Sequence, residues 1–382
     1  MTEIPPLSLC VRTHCMASLL LLLVLPTTTH AAPAVLAEGL QTPTRLLLLD
    51  SGDLLVSESG IADNAGRITR VGRDGQQQQI VEGLPSGVQW NGFRVGPTVL
   101  TLERPRRLLV GIATGDVSDV QGPNNTQFAN INGPSSPLFS SVIRMILING
   151  QLATLDSPFI LDLADHFTIS QGNRVIAEND DGVFAIFELV TSIPMAVPDP
   201  VTIVRTSTPF GMVVIGRTAY MSDTNRNSIE RINLRTGKMR RFLDVPDVEN
   251  PSDPGVFFEA VPSSLKFVDR KTLLVSLESA LFAPGASSIQ RLDLETGTLT
   301  PVIEGLQNVL DLATIGDPHG AELLVVQLTL NNLLYFEDPS AEPIELIDES
   351  LLSFPTSVVF DPQTSEAFVS ELGGKIVSVA VP

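Results

Sequence analysis

The stretch FPTSVVFDPQTSEAFVSE, residues 354–371, decides the fold, because variants of it recur along most of the chain. It contains an opening Pro-Thr pair, an apolar segment, a turn, a second apolar segment and a closing Ser-Glu pair. Further copies are TPTRLLLLDSGDLLVSES (42–59), GPTVLTLERPRRLLVG (96–111), TPFGMVVIGRTAYMSD (208–223), VPSSLKFVDRKTLLVSLE (261–278) and the degenerate NVLDLATIGDPHGAELLVVQ (308–327). Repeats with a period of about 40 to 50 residues are typical of propellers and solenoids.

Each copy is followed by a third apolar segment. These segments read GRITRV (66–71), SVIRMI (141–146), SIERIN (228–233), SIQRLD (288–293), NLLYFE (332–337) and KIVSVA (375–380). Most precede a glycine-containing turn of the kind a hairpin uses where φ is positive. Alternating β-branched and polar residues, with almost no helical periodicity, predict four-stranded antiparallel meanders.

The fourth segments predict how the chain closes. QIVEGL (79–84) and PVIEGL (301–306) end the first and fourth units, whereas VLAEGL (35–40) precedes every unit and the last unit stops after three strands. Residues 35–40 are therefore expected to complete the last sheet, which removes two exposed sheet edges. We predict an all-β, six-bladed β-propeller of four-stranded antiparallel blades, one domain over residues 33–382, whose ring is closed by the N-terminal strand. A seven-bladed ring is the alternative, because residues 174–190 fit an irregular hairpin or an extra blade.

The amino terminus resembles a targeting segment. Arg12 precedes the apolar run 19–25, and small residues follow near position 31, so a signal peptide over residues 1–32 and a secreted or periplasmic location are predicted. The run is too short to span a membrane, so no span is expected after cleavage. A retained anchor is the alternative. Cys10 and Cys15 both lie in this segment, so the mature chain is expected to contain no disulfide and no cysteine metal site.

Charge limits the choice of partners. The 382 residues carry a formal net charge of −19, which disfavours nucleic acid and anionic membranes. Divalent cations or basic partners are compatible with this charge, although solubility is its commoner cause. We expect a monomer that binds a small molecule, glycan or protein.

Two long insertions are predicted on one face of the ring: 113–140 lies between the second and third strands of the second unit, and 156–207 lies between its fourth strand, expected before Asp156, and the third unit. Loops from second to third strands and connections between blades leave a meander blade at the same end, which we call the top face. Within the second insertion, Ser157 and Pro158 predict the start of a short helix reaching about His166. Because binding residues concentrate in loops on a rigid frame, the mouth of the central channel on this face is the expected site.

Carboxylates dominate the candidate site residues. Glu58, Asp223, Glu278 and Glu371 occupy equivalent places in four blades, and Asp311 lies near the start of a fifth inner strand. Convergent carboxylates would suit Ca²⁺, which prefers oxygen ligands. The alternative is that each carboxylate caps its own loop or is solvated. Local side-chain bonds also explain the run DTNRNSI (223–229), which resembles the signature loop of NHL-repeat propellers.

Nucleophilic and acid-base sites are poorly supported. Outside the targeting segment the histidines are His166 and His319, and His166 is the better general-base candidate because it lies in an insertion expected on the top face. The single tryptophan, Trp90, fits either the mouth or the packing between blades.

The order of motifs resembles the ScyD/ScyE family of propellers, named after the cyanobacterial scytonemin cluster. The resemblance covers residues 35–382, through EGL, LLVSE, GRITRV, DLADHF, TPFGM, MSDTNRNSIERI and FPTSVVF, and departs from the family at 174–200. NHL-repeat, strictosidine-synthase-like and gluconolactonase-like propellers are broader kin. The resemblance implies a six-bladed fold and export, without agreed catalytic residues.

Two functions remain open. The first is an exported propeller that binds a ligand or partner at its top face without catalysis. The second is a Ca²⁺-dependent hydrolase or lactonase of the gluconolactonase-like kind, in which carboxylates hold the metal. A pyrroloquinoline-quinone dehydrogenase would also need a catalytic histidine and basic cofactor contacts, which the sequence does not place.

Overall fold

The computed structural model describes residues 32–89, 92–115, 118–120, 127–129, 135–193, 207–279, 282–316 and 322–382. The predicted targeting segment up to residue 31, both cysteines, Trp90 and His319 lie outside these residues. In the described part of the chain, no helix is long and apolar enough to cross a membrane.

The described chain is all-β and forms six four-stranded antiparallel blades, as predicted. From the innermost strand outward, blade 1 contains Pro43–Leu48, Leu54–Glu58, Gly66–Val71 and Gln77–Leu84; blade 2 contains Pro97–Arg104, Arg107–Ile112, Ser141–Leu147 and Phe184–Ser192; blade 3 contains Pro209–Ile215, Thr218–Asp223, Ser228–Asn233 and Met239–Asp244. Blade 4 contains Ala260–Phe267, Thr272–Ser279, Ser287–Asp293 and Leu299–Leu306; blade 5 contains Val309–Ile315, Glu322–Gln327, Asn332–Phe336 and Ile344–Ile347; blade 6 contains Pro355–Asp361, Glu366–Glu371, Ile376–Ala380 and Ala34–Ala37.

Ring closure by the N-terminal strand is confirmed. Ala34–Ala37 pairs antiparallel with Ile376–Ala380, the last strand of the chain. Beyond the paired residues, the Leu40 N–H donates to the Gly374 carbonyl at 3.1 Å. Gly374 has a φ of +98°, and a Cβ atom there would lie 2.3 Å from the Leu40 carbonyl oxygen, so this approach requires glycine.

The second long insertion does not lie where the sequence predicts. The fourth strand of blade 2 was expected before Asp156, but it is Phe184–Ser192, and Val175–Glu178 adds a fifth strand outside it. The segment 174–190 is thus a hairpin of blade 2 and not a seventh blade. Residues 148–183 join the third strand to the fourth, so they leave and rejoin the blade at the end opposite the top face.

The predicted helix exists but begins later than expected. It spans Leu163–Ser170, and Asp162 rather than Ser157 is its N-cap. The Asp162 carboxylate accepts from the Asp165 N–H at 2.9 Å, and the Asp165 carboxylate accepts from the Asp162 N–H at 3.0 Å. This capping box satisfies two donors at the helix start. Phe159–Ile160 instead forms a short parallel strand against Gln77–Leu84 of blade 1.

Smaller elements complete the described chain. Three two-stranded hairpins decorate the ring, formed by Gly87–Val88 with Arg94–Val95, Ser118–Val120 with Gln127–Ala129, and Val248–Glu249 with Phe257–Phe258. Leu152–Thr154 and Thr224–Arg226 are 3₁₀ turns. The core lies between neighbouring blades: Val326 of blade 5 packs in one cluster with Val358 of blade 6, and Leu109 of blade 2 with Met221 of blade 3.

Hydroxyl groups tie successive blades together around the inner strands. The hydroxyl after an opening proline donates to a carbonyl at the start of the next blade, over distances of 2.5 to 3.0 Å, in the pairs Thr356 to Pro43, Thr44 to Pro97, Thr98 to Pro209 and Ser263 to Val309. The same hydroxyl contacts a second-strand serine of its own blade in the pairs Thr44–Ser57, Thr356–Ser370 and Ser263–Ser276. We call each blade-to-blade bond a blade latch. The latches explain why the opening Pro-Thr/Ser pair and the serine of the closing pair recur.

Candidate functional site

A cavity of about 370 Å³ occupies the mouth of the channel on the top face. The starts of the first strands surround it, since Thr44, Thr98 and Thr356 all contribute to its wall. Their hydroxyls are engaged in the blade latches, so these threonines present few free donors to the cavity. The cavity therefore lies where the sequence predicts, but the repeated threonines in its wall hold neighbouring blades together.

Four phenylalanines give this mouth its apolar character. Phe93, Phe282 and Phe354 are half-exposed around it, and Phe210 contributes from the first strand of blade 3. Sequence reasoning missed this group, because single aromatic residues in loops produce no periodic signal. Two of the four, Phe210 and Phe354, lie within quoted copies of the repeating stretch, but at different positions of it.

Two of the rim residues have an unusual backbone. Phe282 has a φ of +55° and Phe354 a φ of +52°, a region that costs bulky residues about 1–3 kcal/mol each. Phe354 also precedes Pro355, which restricts its backbone further. Two hydrogen bonds hold it, since its N–H donates to the Asn331 side chain at 2.7 Å and its carbonyl accepts from the Leu372 N–H at 3.0 Å. The surrounding structure thus holds an aromatic residue with a strained backbone at the mouth.

Three of the four predicted carboxylates hold the start of their own blade. Each lies opposite the opening proline of its sheet, in the pairs Glu58–Pro43, Asp223–Pro209 and Glu371–Pro355. Each also accepts a backbone N–H from the chain just before that proline: Gln41 for Glu58, Thr208 for Asp223 at 3.0 Å and Ser353 for Glu371 at 2.8 Å. All three are buried. These contacts agree with the alternative prediction, in which each carboxylate caps its own loop.

Glu58 and Asp223 have further cationic neighbours. The Arg67 guanidinium donates to both Glu58 oxygens, at 2.9 and 2.7 Å. Arg226 lies 4.0 Å from Asp223, whose pKa burial raises to about 6 although the Thr208 N–H and the Arg226 charge lower it. The run 223–229 is a turn, with Thr224–Arg226 in a 3₁₀ turn and Asn227 left-handed at a φ of +47°. A local structural role for this run, as the sequence favours, agrees with these contacts.

Glu278 differs from the other three. It lies opposite Val261, whereas Leu277 lies opposite the opening Pro262, so Glu278 is one residue out of register with the other carboxylates. Because successive side chains of a strand point to opposite faces, this single step changes the direction of the carboxylate. Glu278 lines the cavity, is 9% exposed, and accepts from the Asn308 side-chain amide.

Burial sets the protonation of Glu278. It raises the pKa of this carboxyl from 4.5 to about 7, and the hydrogen bond from Asn308 acts in the opposite direction. The mouth thus contains one carboxyl group that changes charge near neutral pH, where it can accept or donate a hydrogen bond or move a proton.

The described residues do not bring the predicted calcium ligands together. Within the described ranges, no three His, Cys, Asp or Glu side chains form a group that could hold a metal ion. Glu278 shares the cavity wall with Glu259, while Glu58, Asp223 and Glu371 are engaged in the loop contacts given above. The geometry therefore does not fit a centre with three carboxylate ligands, and the calcium site stays a prediction.

His166 lies apart from the residues of this mouth. It is a fully buried residue of the helix, and its Nε2 atom lies 2.7 Å from the Gly83 carbonyl oxygen in the outer strand of blade 1. Burial is the main cause that lowers its pKa. The sequence predicted His166 on a top-face insertion because the fourth strand of blade 2 was expected before Asp156, and that placement is wrong.

Comparison with known proteins supports the fold alone. No family model matches the chain, and no curated protein matches it at a significant level. The PQQ-bound aldose sugar dehydrogenase of Streptomyces coelicolor aligns with a TM-score of 0.50 at 15% identity, over 92% of this chain and 98% of that one. XC5397 of Xanthomonas campestris, described as a gluconolactonase, gives a TM-score of 0.46 at 12% identity, over 92% and 89%. A glucose dehydrogenase gives 0.48 at 13%, over 92% and 100%.

Proposed function

We propose that this protein is an exported, monomeric β-propeller, similar to the ScyD/ScyE family, that binds an apolar or aromatic small molecule at its top-face mouth without catalysing a reaction. The observation that carries this proposal is the phenylalanine rim around a cavity of about 370 Å³. Small-molecule pockets are concave and mostly apolar, with a few polar groups that fix orientation. Export and the family likeness rest on the sequence of residues 1–32 and on the order of the repeated motifs.

The polar groups of the mouth favour a small apolar ligand over a glycan. A glycan needs many hydrogen-bond partners, yet Thr44, Thr98 and Thr356 already donate to neighbouring blades. Arg94 is paired with Asp63 at 2.7 Å, so its charge is largely neutralised. Glu278 and Glu259 remain as carboxyl groups that can bond to a ligand hydroxyl or amine.

Binding of neutral two-ring aromatics, such as 2-naphthol and indole, tests the proposal by calorimetry. We expect Phe282→Ala and Phe354→Ala to weaken binding at least tenfold, because each removes a large part of the apolar wall. Phe257→Ala is the matched control, since Phe257 is exposed but lies outside this cavity. Undetectable binding of every probe, or equal affinity in the rim variants and the control, would refute the proposal.

A hydrolase is the second candidate, and Glu278 is the observation that favours it. A carboxyl group with a pKa of about 7 in a cavity suits general acid-base chemistry on an ester or lactone. The calcium-dependent form has less support, because the described carboxylates do not gather around one point. Lactone hydrolysis that disappears in Glu278→Gln, and its dependence on Ca²⁺ and chelator, would establish this candidate over simple binding.

A quinone-dependent dehydrogenase, suggested by the sugar dehydrogenase with the same fold, has the least support. Among the described residues, the wall of the mouth contains one cationic side chain, Arg94, and no histidine. A catalytic histidine and basic cofactor contacts, which such a reaction would require, are not found in this part of the chain.

A further inference from the structure

A second cavity of about 310 Å³ lies deeper in the channel, below the first. Thr44 lines the upper cavity and Arg45, the next residue of the same strand, lines the lower one, while Phe210 lines both. The lower wall includes later residues of the first strands, such as Leu102 and Lys266. Since these strands start at the top face, the lower cavity lies toward the opposite end of the channel.

Asp311 is the centre of a charged cluster at this depth. Its Oδ2 atom lies 2.8 Å from the Arg45 Nη1, and its Oδ1 atom lies 3.1 Å from the Lys266 Nζ. Asp311 also accepts from the Ser357 hydroxyl at 2.6 Å, from the Val358 and Leu312 N–H groups at 3.0 and 2.9 Å, and from the Ser264 hydroxyl. A carboxylate offers about four lone-pair sites, so its capacity as an acceptor is filled.

With Arg45 and Lys266 both protonated, the cluster carries more positive than negative charge. Two cations face one carboxylate, and in the described part of the chain no Asp or Glu lines the lower cavity. Arg45 is 5% exposed; its Nη2 donates to the Phe210 carbonyl at 2.7 Å, and its Nε has no acceptor among the described residues. The Lys266 side chain is 24% exposed. Buried charges in proteins are normally paired. In this protonation state, one positive charge has no counter-charge among the described residues.

The pKa of Lys266 is sensitive to this environment. Burial is the main cause that lowers its pKa, the Arg45 charge lowers it further, and the Asp311 charge raises it. An anion in the cavity would act in the same direction as Asp311 and favour the ammonium form.

We propose that the lower cavity is an anion site that takes a small monocarboxylate with an alkyl chain. One negative charge matches the excess of one cation, and the carboxylate would accept from the Lys266 ammonium, which lines the cavity. Leu47, Leu102 and Val214 supply an apolar wall along which the chain lies. An inorganic anion would leave that wall unused. This site is separate from the top-face mouth and takes a ligand of opposite character, charged where the other is neutral.

A homologous series of acetate, butyrate and hexanoate tests the site by calorimetry at constant ionic strength and pH 7. Burial of each methylene is expected to raise affinity about three- to fourfold. The uncharged 1-hexanol should bind at least tenfold more weakly than hexanoate. Equal affinities along the series, or equal affinity of hexanol and hexanoate, would overturn the proposal.

Variants locate the binding within the channel. We expect Lys266→Met to weaken hexanoate binding at least tenfold and Lys266→Arg to retain it. Lys271→Met, which removes the same charge from an exposed position paired with Glu295, should bind as the original protein does. Phe354→Ala should also leave hexanoate binding unchanged, whereas a loss in that variant would place the carboxylate in the upper mouth and refute the assignment. If Lys266→Met does not fold, the chain-length series, the alcohol control and Lys266→Arg still decide the question.

Discussion

Substitution of Glu278 by Gln gives a quantitative test of the environment at the mouth. Burial raises the pKa of this carboxyl from 4.5 to about 7, so over that interval the folded protein holds a proton that the unfolded chain releases. The resulting stability is fully present below about pH 4.5 and is lost as the pH rises through 7. At 1.36 kcal/mol for each pKa unit, the loss between pH 5 and pH 8.5 is about 2–3 kcal/mol.

Glutamine keeps the size of the side chain and an oxygen that can accept from Asn308, but it does not ionise. The free energy of unfolding, measured in urea from pH 5 to pH 8.5, should therefore decline less in Glu278→Gln than in the original protein. The difference between the two proteins should change by about 2–3 kcal/mol over this range, in favour of the variant at high pH. Asp223 has a raised pKa as well, but it is present in both proteins and cancels in the difference.

Glu349→Gln, in the exposed loop after blade 5, is the matched control and should give a difference that does not depend on pH in this way. A constant difference for Glu278→Gln, or one that favours the original protein as the pH rises, would refute the desolvated carboxyl at the mouth. The result would also weigh against acid-base chemistry by Glu278, because that role depends on the same raised pKa.

Three further substitutions test the charged cluster, the latch between the last and first blades, and the helix cap. Asp311→Asn leaves the buried Arg45 and the partly buried Lys266 without their carboxylate and should cost about 3–5 kcal/mol in urea unfolding at pH 7; a cost below about 1 kcal/mol would contradict the charge cluster. Thr356→Val removes the blade latch that closes the ring and should cost about 1–3 kcal/mol in the same assay, whereas Thr314→Val, at a half-buried position on blade 5, should cost under about 0.5 kcal/mol. Asp162→Ala removes the helix cap, and hydrogen exchange of Leu163–Ser170 should show faster opening by about 1 kcal/mol, while unchanged protection would exclude the cap.

The sequence was sufficient for the blades and their closure because the signals involved are local and repeated. Alternation along each strand, the turn glycines and the unpaired strand near Val35 each restrict the possible topologies. Together they predict one closed ring. The closing contact at Gly374 could not be read from sequence, yet the prediction did not need it. Six copies of one pattern compensate for the weakness of any single copy.

Blade 2 was misread because its third-to-fourth connection is long. In blades 1, 3, 4 and 5 the fourth strand follows a short connection, which predicts one just after Leu147 in blade 2, but the strand that pairs there begins at Phe184. The helix start was predicted too early because a tertiary contact decides it. Ser157 and Asp162 both suit an N-cap, and pairing of Phe159 with blade 1, a tertiary contact, favours the later one.

The candidate site was predictable in place but not in detail. Sequence alignment of the closing Ser-acid pairs treated Glu278 as equivalent to Glu58, although an extra Leu277 separates it from the serine. One residue of register decides whether a strand side chain faces the cavity or the interior of its blade. The sequence gives strand positions, whereas the direction of each carboxylate depends on bulges that a single chain does not reveal.

One position of the first strands, two residues after the opening proline or, in blade 5, after Val309, lies at the level of the charged cluster. In blade order it is occupied by Arg45, Val99, Gly211, Ser264, Asp311 and Ser357, and the side chains of Arg45, Ser264 and Ser357 all contact the Asp311 carboxylate. No two blades outside the serines share a residue there, so a motif averaged over the repeat shows nothing at that position. The neighbouring position before it is mostly Thr or Ser, because every latch requires the same hydroxyl. Positions that repeat therefore build the ring, and the position that varies between blades gives the channel its charged cluster.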